Sequence, residues 1–346
     1  MNVNTQLNGS GRGRLFMVAI AVLATTALVA VASAGAAKKG GGGGDKVVFA
    51  KKLTRILPQG KAPVLFEGGA FGPEGNFVFA NVLAKAGEPK LISLDPATKK
   101  WKSIHTDKTG TYTSTQFDAK GNLWVTDFAG KIDSMKPDGS DFKTTYSGKF
   151  AEASDDIAFD QQGNMFVTNT DGTPFKPTGE IALFDPQGQN PKTFLGGLAA
   201  PNGISFTPDF SRLWVSEYQG QRELLLTPSK DHQSLAEAQV GMHGSPGIGH
   251  WDSNMVDSAG NIYQCVNEDG EILVWNEHGE LQETVKIKQN LGAPEMSATN
   301  LAIKPGTNTV YVVVGGKAGG FVYTFPALAK GYAGGSNGGS QPPATK

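Results

Sequence analysis

The chain has 346 residues, 31 Lys and Arg against 32 Asp and Glu, a formal net charge of −1 and a single cysteine. This near-neutral balance excludes a broad basic surface for nucleic acid, and one cysteine excludes an intrachain disulfide or a cysteine-based metal site. With 18% charged residues and 46 glycines, the composition suits one all-β repeat domain rich in tight hairpins.

At the N-terminus, Arg12 and Arg14 precede an apolar run from Leu15 to about Val31, and Ala32-Ser33-Ala34 follows. Charge, length and small-residue exit describe a secretory signal peptide over residues 1–34. Counted through Ala37, the run also has the length of a membrane span, so an uncleaved anchor is the alternative. Either way the rest of the chain is expected to be exported, to the periplasm or beyond. Residues 35–45 read as a Gly-rich linker. Val47–Ala50 and Leu53–Leu57 are strand-like and are expected to complete the last unit of a closed array.

Six similar units follow between residues 46 and 330. Each reads as a polar residue, a short strand, a tight turn and a β-branched or aromatic second strand. In the first unit Glu67 precedes Pro73-Glu74-Gly75-Asn76 and Phe77-Val78-Phe79. Thr113 precedes Gly121-Asn122 and Leu123–Asp127, and Asp155 precedes Gly163-Asn164 and Met165–Thr168. Asn202 precedes a turn through Pro208 and Leu213–Ser216, Asp252 precedes Gly260-Asn261 and Ile262-Tyr263, and Thr299 precedes Val310–Val314. The Gly-Asn pairs supply the positive φ that short hairpins need. A helical turn or two is expected only near Ser234–Ala238. Residues 331–346 form a Gly/Ser/Pro tail without apolar content to fold.

A repeat of roughly forty-five residues predicts a β-propeller, here all-β and six-bladed. One position taken from each blade maps onto a ring around the axis, so Glu67, Thr113, Asp155, Asn202, Asp252 and Thr299 should face one another. Three carboxylates held together repel, and a hard divalent cation bound by oxygen is the simplest offset. Calcium is expected, with magnesium or manganese as alternatives; oxygen-only ligands argue against zinc. Thr113 and Thr299 read as hairpin caps. Asp127, Glu217 and Tyr218 read as loop residues, and Cys265 as a small core residue.

Phe66-Glu67-Gly68, Asp155-Asp156 with Phe159-Asp160, Pro201-Asn202-Gly203-Ile204 with Leu213-Trp214-Val215, and Asp252-Ser253 with Asp257 and Gly260-Asn261 carry a resemblance in order and register. Over about Pro63 to Pro326 the chain is similar to the senescence-marker-protein/gluconolactonase/luciferin-regenerating-enzyme-like (regucalcin-like) family, and within it to bacterial calcium-dependent lactonases. The resemblance implies one metal, usually calcium, with Glu67, Asn202 and Asp252 at ligand positions. Asp155 stands where an Asn or Asp supports the metal or lines the substrate site, and Asp156 neighbours it. The position of Asp252 is also that of the proposed general base or nucleophile. Two departures are Gly69, where Pro is frequent, and the lack of a counterpart to an arginine used by some sugar-lactonase members, which speaks against a sugar-acid substrate.

The expected activity is therefore metal-dependent hydrolysis of a lactone or similar cyclic ester, a small-molecule substrate, with no nucleic-acid partner and a membrane partner only if the N-terminal segment stays uncleaved. The alternatives are a calcium-stabilised propeller that binds a partner without turnover, and phosphotriesterase-like hydrolysis on the same residues. His250 is either a proton shuttle or an ordinary loop histidine. Trp251 is a candidate pocket wall, and Ser253 a candidate ligand. The insertion Ser229–His250 is expected near the mouth, as a lid or partner surface.

Overall fold

The computed structural model describes residues 46–60, 62–244, 249–287 and 296–332. The expected signal peptide or anchor (1–34), the linker (35–45) and the tail beyond Tyr332 lie outside the described residues. Those that are described form strands and turns with no helix, and none could supply a helix long and apolar enough to cross a membrane.

The strands run in order as β1 (Lys46–Leu57), β2 (Phe66–Phe71), β3 (Phe77–Asn81), β4 (Leu91–Leu94), β5 (Trp101–His105), β6 (Tyr112–Phe117), β7 (Leu123–Asp127) and β8 (Ala129–Met135). They continue as β9 (Lys143–Glu152), β10 (Ser154–Phe159), β11 (Met165–Asn169), β12 (Gly179–Phe184), β13 (Lys192–Leu198), β14 (Pro201–Phe206), β15 (Leu213–Glu217) and β16 (Arg222–Pro228). The last are β17 (Leu235–His243), β18 (His250–Val256), β19 (Ile262–Asn267), β20 (Glu271–Trp275), β21 (Leu281–Ile287), β22 (Met296–Ile303), β23 (Thr309–Gly316) and β24 (Gly320–Pro326).

Four sheets are four-stranded meanders, β2–β5, β6–β9, β10–β13 and β14–β17, and the remaining strands form an eight-stranded sheet in the order β18-β19-β20-β21-β1-β24-β23-β22. The first strands β2, β6, β10, β14, β18 and β22 pack side by side in a closed cycle, β22 returning to β2. The result is a propeller-like stack of four-stranded blades. β1 does the closing. Its Lys51–Leu57 half runs antiparallel to β24, as the fourth strand of that blade, while its Lys46–Ala50 half runs parallel to β21 of the blade before.

Local chemistry explains the hairpins. Asp118 Oδ1 accepts the backbone N–H groups of Lys120 and Asn122 at 2.9 Å each, with Gly121 at φ 79. Asp160 and Asp257 hold the next residues of their turns in the same way. The Asp side chain replaces the hydrogen bonds the turn would otherwise give to water. The inner three strands of each blade are buried almost throughout, and aromatic and β-branched residues fill the space between blades. Phe71 of β2 meets Tyr311 of β23 edge-on, ring centroids 5.0 Å apart, so the first and last blades share one core.

Some expectations change. Ser234–Ala238 is not a helical turn: it enters β17, which pairs with β16 from Arg222↔His243 to Pro228↔Leu235. Ser229–His243 is thus a turn plus the outer strand of a blade rather than a lid; residues 245–248 of that insertion lie outside the described residues. Asp127 and Glu217 are the buried ends of β7 and β15, where each carboxylate fixes the segment that enters its own blade, Thr111 N donating to Asp127 at 3.1 Å and Ala199 N to Glu217 at 2.7 Å. Residues 327–332 form a strap over the turn end. Leu328 N donates to Tyr263 Oη at 2.7 Å, Ala329 N to Asp257 Oδ2 at 3.0 Å, and Tyr332 Oη to the Phe206 carbonyl at 2.9 Å.

Candidate functional site

Every inner strand breaks its pairing register near its first residues. The breaks fall between Glu67 and Ala70, Tyr112 and Ser114, Ser154 and Ile157, Pro201 and Ile204, Trp251 and Asn254, and Ala298 and Asn300. A β-bulge unpairs a residue and re-aims its side chain. The skipped residues are Thr113, Asp155-Asp156, Asn202-Gly203, Asp252-Ser253 and Thr299, while Glu67 is the last paired residue before its bulge. All six positions singled out from the repeat therefore lie where the ladder opens, at the end of the inner strands away from the hairpin turns.

Two glycines make this possible. At Gly68 (φ 64) a Cβ would stand 2.3 Å from Ser114 Cα, and at Gly203 a Cβ would stand 2.4 Å from Asn254 N. Glycine after Glu67 and after Asn202 lets the next inner strand approach backbone to backbone.

Adjacent blades are laced across the bulges by hydroxyls. Thr126, Thr168 and Ser216, on second strands, donate to the carbonyls of Asp155 (2.8 Å), Asn202 (2.6 Å) and Asp252 (2.7 Å) on the following blade. Thr113 donates to the Ser154 carbonyl at 2.7 Å and Thr299 to that of Phe66. Those two ring hydroxyls tie blades together instead of capping their own hairpins.

The ring has two levels. In the upper one, Asn202 Nδ2 donates to Asp155 Oδ2 at 2.7 Å, and Thr170 Oγ1 reaches the same oxygen at 3.3 Å. Glu67 Oε2, Asp155 Oδ1 and Asn202 Oδ1 are buried without a partner. Below, Asp156 Oδ1 accepts from Ser114 Oγ at 3.1 Å and from Asn300 Nδ2 at 3.2 Å. Asn300 Nδ2 also donates to Ser253 Oγ at 2.7 Å, and its Oδ1 accepts from Gly69 N at 3.0 Å. Asn300 thus joins four inner strands (β2, β10, β18 and its own β22) across the axis as a floor.

Electrostatics follow from this burial. Glu67 is held well above the usual carboxylate range by burial, then by the charges of Asp252, Asp155 and Asp156. Asp252 is raised by burial, then by Asp155, Asp156 and Glu268, with the Asn267 side chain acting the other way. Asp155 is raised by burial and by Asp156. Burial lifts Asp156 to about 7, against the opposing influence of Ser253, Ser114 and Asn300. Four acidic groups without a buried cation between them are mutually destabilising when ionised.

An oxygen-binding cation fits these residues in kind. The upper donors are carboxylate and amide oxygens, and three lack any partner, which is costly in a dry site unless something positive is supplied. In this conformation no three His, Cys, Asp or Glu side chains among the described residues converge closely enough to hold an ion; the Asn202 amide is an essential part of the set. Asp156 differs in part: donors hold its Oδ1, while its Oδ2 is also buried without a partner.

His250 and Trp251 part company with the ring. Trp251 is buried and packs against Trp275 (centroids 5.2 Å apart) in the core between blades, facing away from the ring, so it is not a pocket wall. His250 begins β18 half-exposed, with Nδ1 3.1 Å from Glu268 Oε2 and its ring stacked on Tyr218 at 4.5 Å. Thr170, Asn267, Glu268, Asn300 and Tyr218 were not picked out from the sequence as site residues. Most sit just past a second strand, and only the recurrence of that position beside the ring could have signalled them. A groove of about 300 Å³ lined by Pro73, Phe117, Lys102 and Lys136 lies at the opposite, turn end.

Several known proteins are similar to this chain. The lactonase drp35 of Staphylococcus epidermidis is 24% identical over 287 residues, covering 77% of this chain and 84% of that protein. Its counterpart in Staphylococcus aureus is 23% identical over 291 residues, covering 79% and 86%. Among solved structures, a calcium-binding protein, regucalcin, from Agrobacterium tumefaciens superposes with a TM-score of 0.67 at 14% identity, covering 86% of this chain and 98% of that one. A gluconolactonase from Xanthomonas campestris superposes with a TM-score of 0.61 at 16% identity, covering 80% and 97%. The family model described as SMP-30/Gluconolactonase/LRE-like region matches residues 85–314. That match, over more than half of the chain, places it in the SMP-30/gluconolactonase/LRE-like family.

Proposed function

We propose that this protein is an exported lactone hydrolase, a six-bladed propeller whose ring holds one divalent cation, calcium in preference to magnesium or manganese. In this reading the eight-stranded sheet is two blades joined through β1. The observation that carries the proposal is the set of buried, unpartnered oxygens on Glu67, Asp155 and Asn202 beside Asp252. The relatives named lactonase and gluconolactonase support the reaction class, and regucalcin supports calcium. Export rests on Arg12, Arg14 and the apolar run after them.

Glu67, Asp155, Asn202 and Asp252 would hold the ion. A hard cation held there would offset the clustered charge and supply Lewis-acid polarisation of a lactone carbonyl. Asp252 has the chemistry of a general base: its carboxylate takes a proton from water as the oxygen of that water bonds to the carbonyl carbon. The ring C–O bond then breaks, the same carboxyl returns the proton to the leaving oxygen, and a hydroxy acid is released. The Asp156–Asn300–Ser253 floor keeps Asp155 and Asp252 in place from below.

The experiment is proton release from a panel of small lactones, before chelation, after chelation and after calcium is restored. Activity that disappears and returns supports the proposal. No hydrolysis of any lactone, with a clear calcium-dependent rise in melting temperature, would replace it with a calcium-stabilised scaffold that binds a partner.

A further inference from the structure

Glu268 occupies the first position after β19, at φ 67. That is left-handed backbone, costly for a side chain with a Cβ and cheap for glycine. Residues kept in such conformations are held by their surroundings and cluster at functional sites. The surroundings here are specific. Glu268 Oε1 accepts from Tyr218 Oη at 3.1 Å, and Oε2 accepts from His250 N at 3.2 Å and stands 3.1 Å from His250 Nδ1. Tyr218 and His250 lie ring on ring, centroids 4.5 Å apart and 5° from parallel.

This assembly connects to the ring of carboxylates. The Asn267 side chain is near enough to Asp252 to oppose the rise in its proton affinity, and its Nδ2 donates to Tyr218 Oη at 3.4 Å. A chain of contacts thus runs Asp252, Asn267, Tyr218, Glu268, His250. Tyr218 lies close enough to Asp252 and Glu67 for their charges, after burial, to push its phenol upward, so the hydroxyl remains a donor. His250, partly exposed, starts the strand that carries Asp252 two residues later.

We propose that Glu268 is a positioning residue that clamps Tyr218 and His250 into a stack beside Asp252, and that the outer face of this stack is the aromatic wall against which the apolar face of a lactone ring lies. This rests on the lactonase reading and deepens it, favouring lactones with a flat, apolar ring face over polyhydroxylated ones. A wall held by a carboxylate keeps the substrate oriented towards Asp252, and orientation of this kind is worth orders of magnitude in rate.

Glu268→Gly separates this role from a structural one, because glycine relieves the backbone while removing the clamp. For the calcium-loaded variant we expect a melting temperature equal to or above wild type, calcium affinity by calorimetry within twofold, and kcat/KM on a hydrolysed lactone reduced at least tenfold. Tyr218→Ala should raise KM by about tenfold with a smaller change in kcat. Unchanged kcat/KM in Glu268→Gly, or a loss that tracks lowered stability or calcium affinity, overturns the proposal. The clamp also has a readout without turnover: the His250 Nδ1 proton should be visible and slowly exchanging by NMR in wild type, and lost in Glu268→Gly. Seen in a protein that hydrolyses no lactone, that signature would leave the clamp standing and remove the lactonase reading. Identical exchange in both proteins removes the clamp whatever the activity.

Discussion

Asn202 Nδ2 donates to Asp155 Oδ2 at 2.7 Å, from one inner strand to the next, and the remaining side-chain oxygen of each residue is buried without a partner. The amide has spent its donor on a carboxylate and turned its acceptor inward. Two neighbouring blades thus present oxygen to the same small volume, an arrangement that is unfavourable unless a cation enters.

Calcium should therefore stabilise the fold markedly. At a hundred times its dissociation constant a ligand adds about 2.7 kcal/mol. For a domain of this size that is a rise of roughly 4–5 °C in melting temperature. Thermal melts in chelator and then in excess calcium check this, and coincident curves would remove the cation from the ring.

Asp252→Asn should act in opposite directions on stability and turnover. Without metal it deletes one of the buried charges that raise Glu67, so the chelated variant should melt at or above wild type near neutral pH. Lactone hydrolysis should fall by about a hundredfold or more. Wild-type turnover in this variant would take Asp252 out of the mechanism.

Asp133 offers a pH test away from the ring. Its carboxyl in β8 is raised from 3.8 to about 6, chiefly by burial, with the Asp127 charge adding to the shift and Thr144 and Lys131 opposing it. A raised folded-state value means the folded chain binds the extra proton. The associated stability is fully present below the unfolded value and is lost as pH rises through about 6. The loss is on the order of 2–3 kcal/mol. Asp133→Asn should flatten that part of the stability–pH curve, measured by denaturant unfolding between acid and neutral pH. A slope equal to wild type would refute the assignment.

Two glycines with similar φ should respond differently to alanine. At Gly87 (φ 80) an added Cβ meets nothing within 4 Å, so only the left-handed backbone is charged, about 1–2 kcal/mol. At Gly68 (φ 64) it would stand 2.3 Å from Ser114 Cα and 2.4 Å from Thr115 N. Gly68→Ala should cost at least about 3 kcal/mol or prevent soluble expression, because two blades must separate. Equal unfolding midpoints for the two variants would contradict the close packing of β2 on β6.

Much of the architecture was legible in the chain. Asp118, Asp160 and Asp257 with their Gly-Asn pairs mark hairpins, and runs such as Leu213–Glu217 and Val310–Val314 mark buried second strands, because turn chemistry and strand burial are written in adjacent residues. Ser234–Ala238 was misread for the same local reason: a short exposed stretch rich in Ala and Glu has helix propensity, and only pairing with β16 makes it a strand.

The sequence by itself determined the repeat, the turns and one polar position per unit, since these depend on local propensity and a regular period. Tertiary structure alone decided what those positions face. Asp155 and Asp156 are neighbours, yet one joins the upper ring with Asn202 and the other anchors a floor through Asn300, because a bulge breaks the simple alternation of strand side chains. The double pairing of β1, the outward burial of Trp251 and the contact of Glu268 with Tyr218 and His250 likewise join residues far apart in the chain. No local pattern encodes such contacts; they exist only once the blades close into a ring and bring the ends of their strands together.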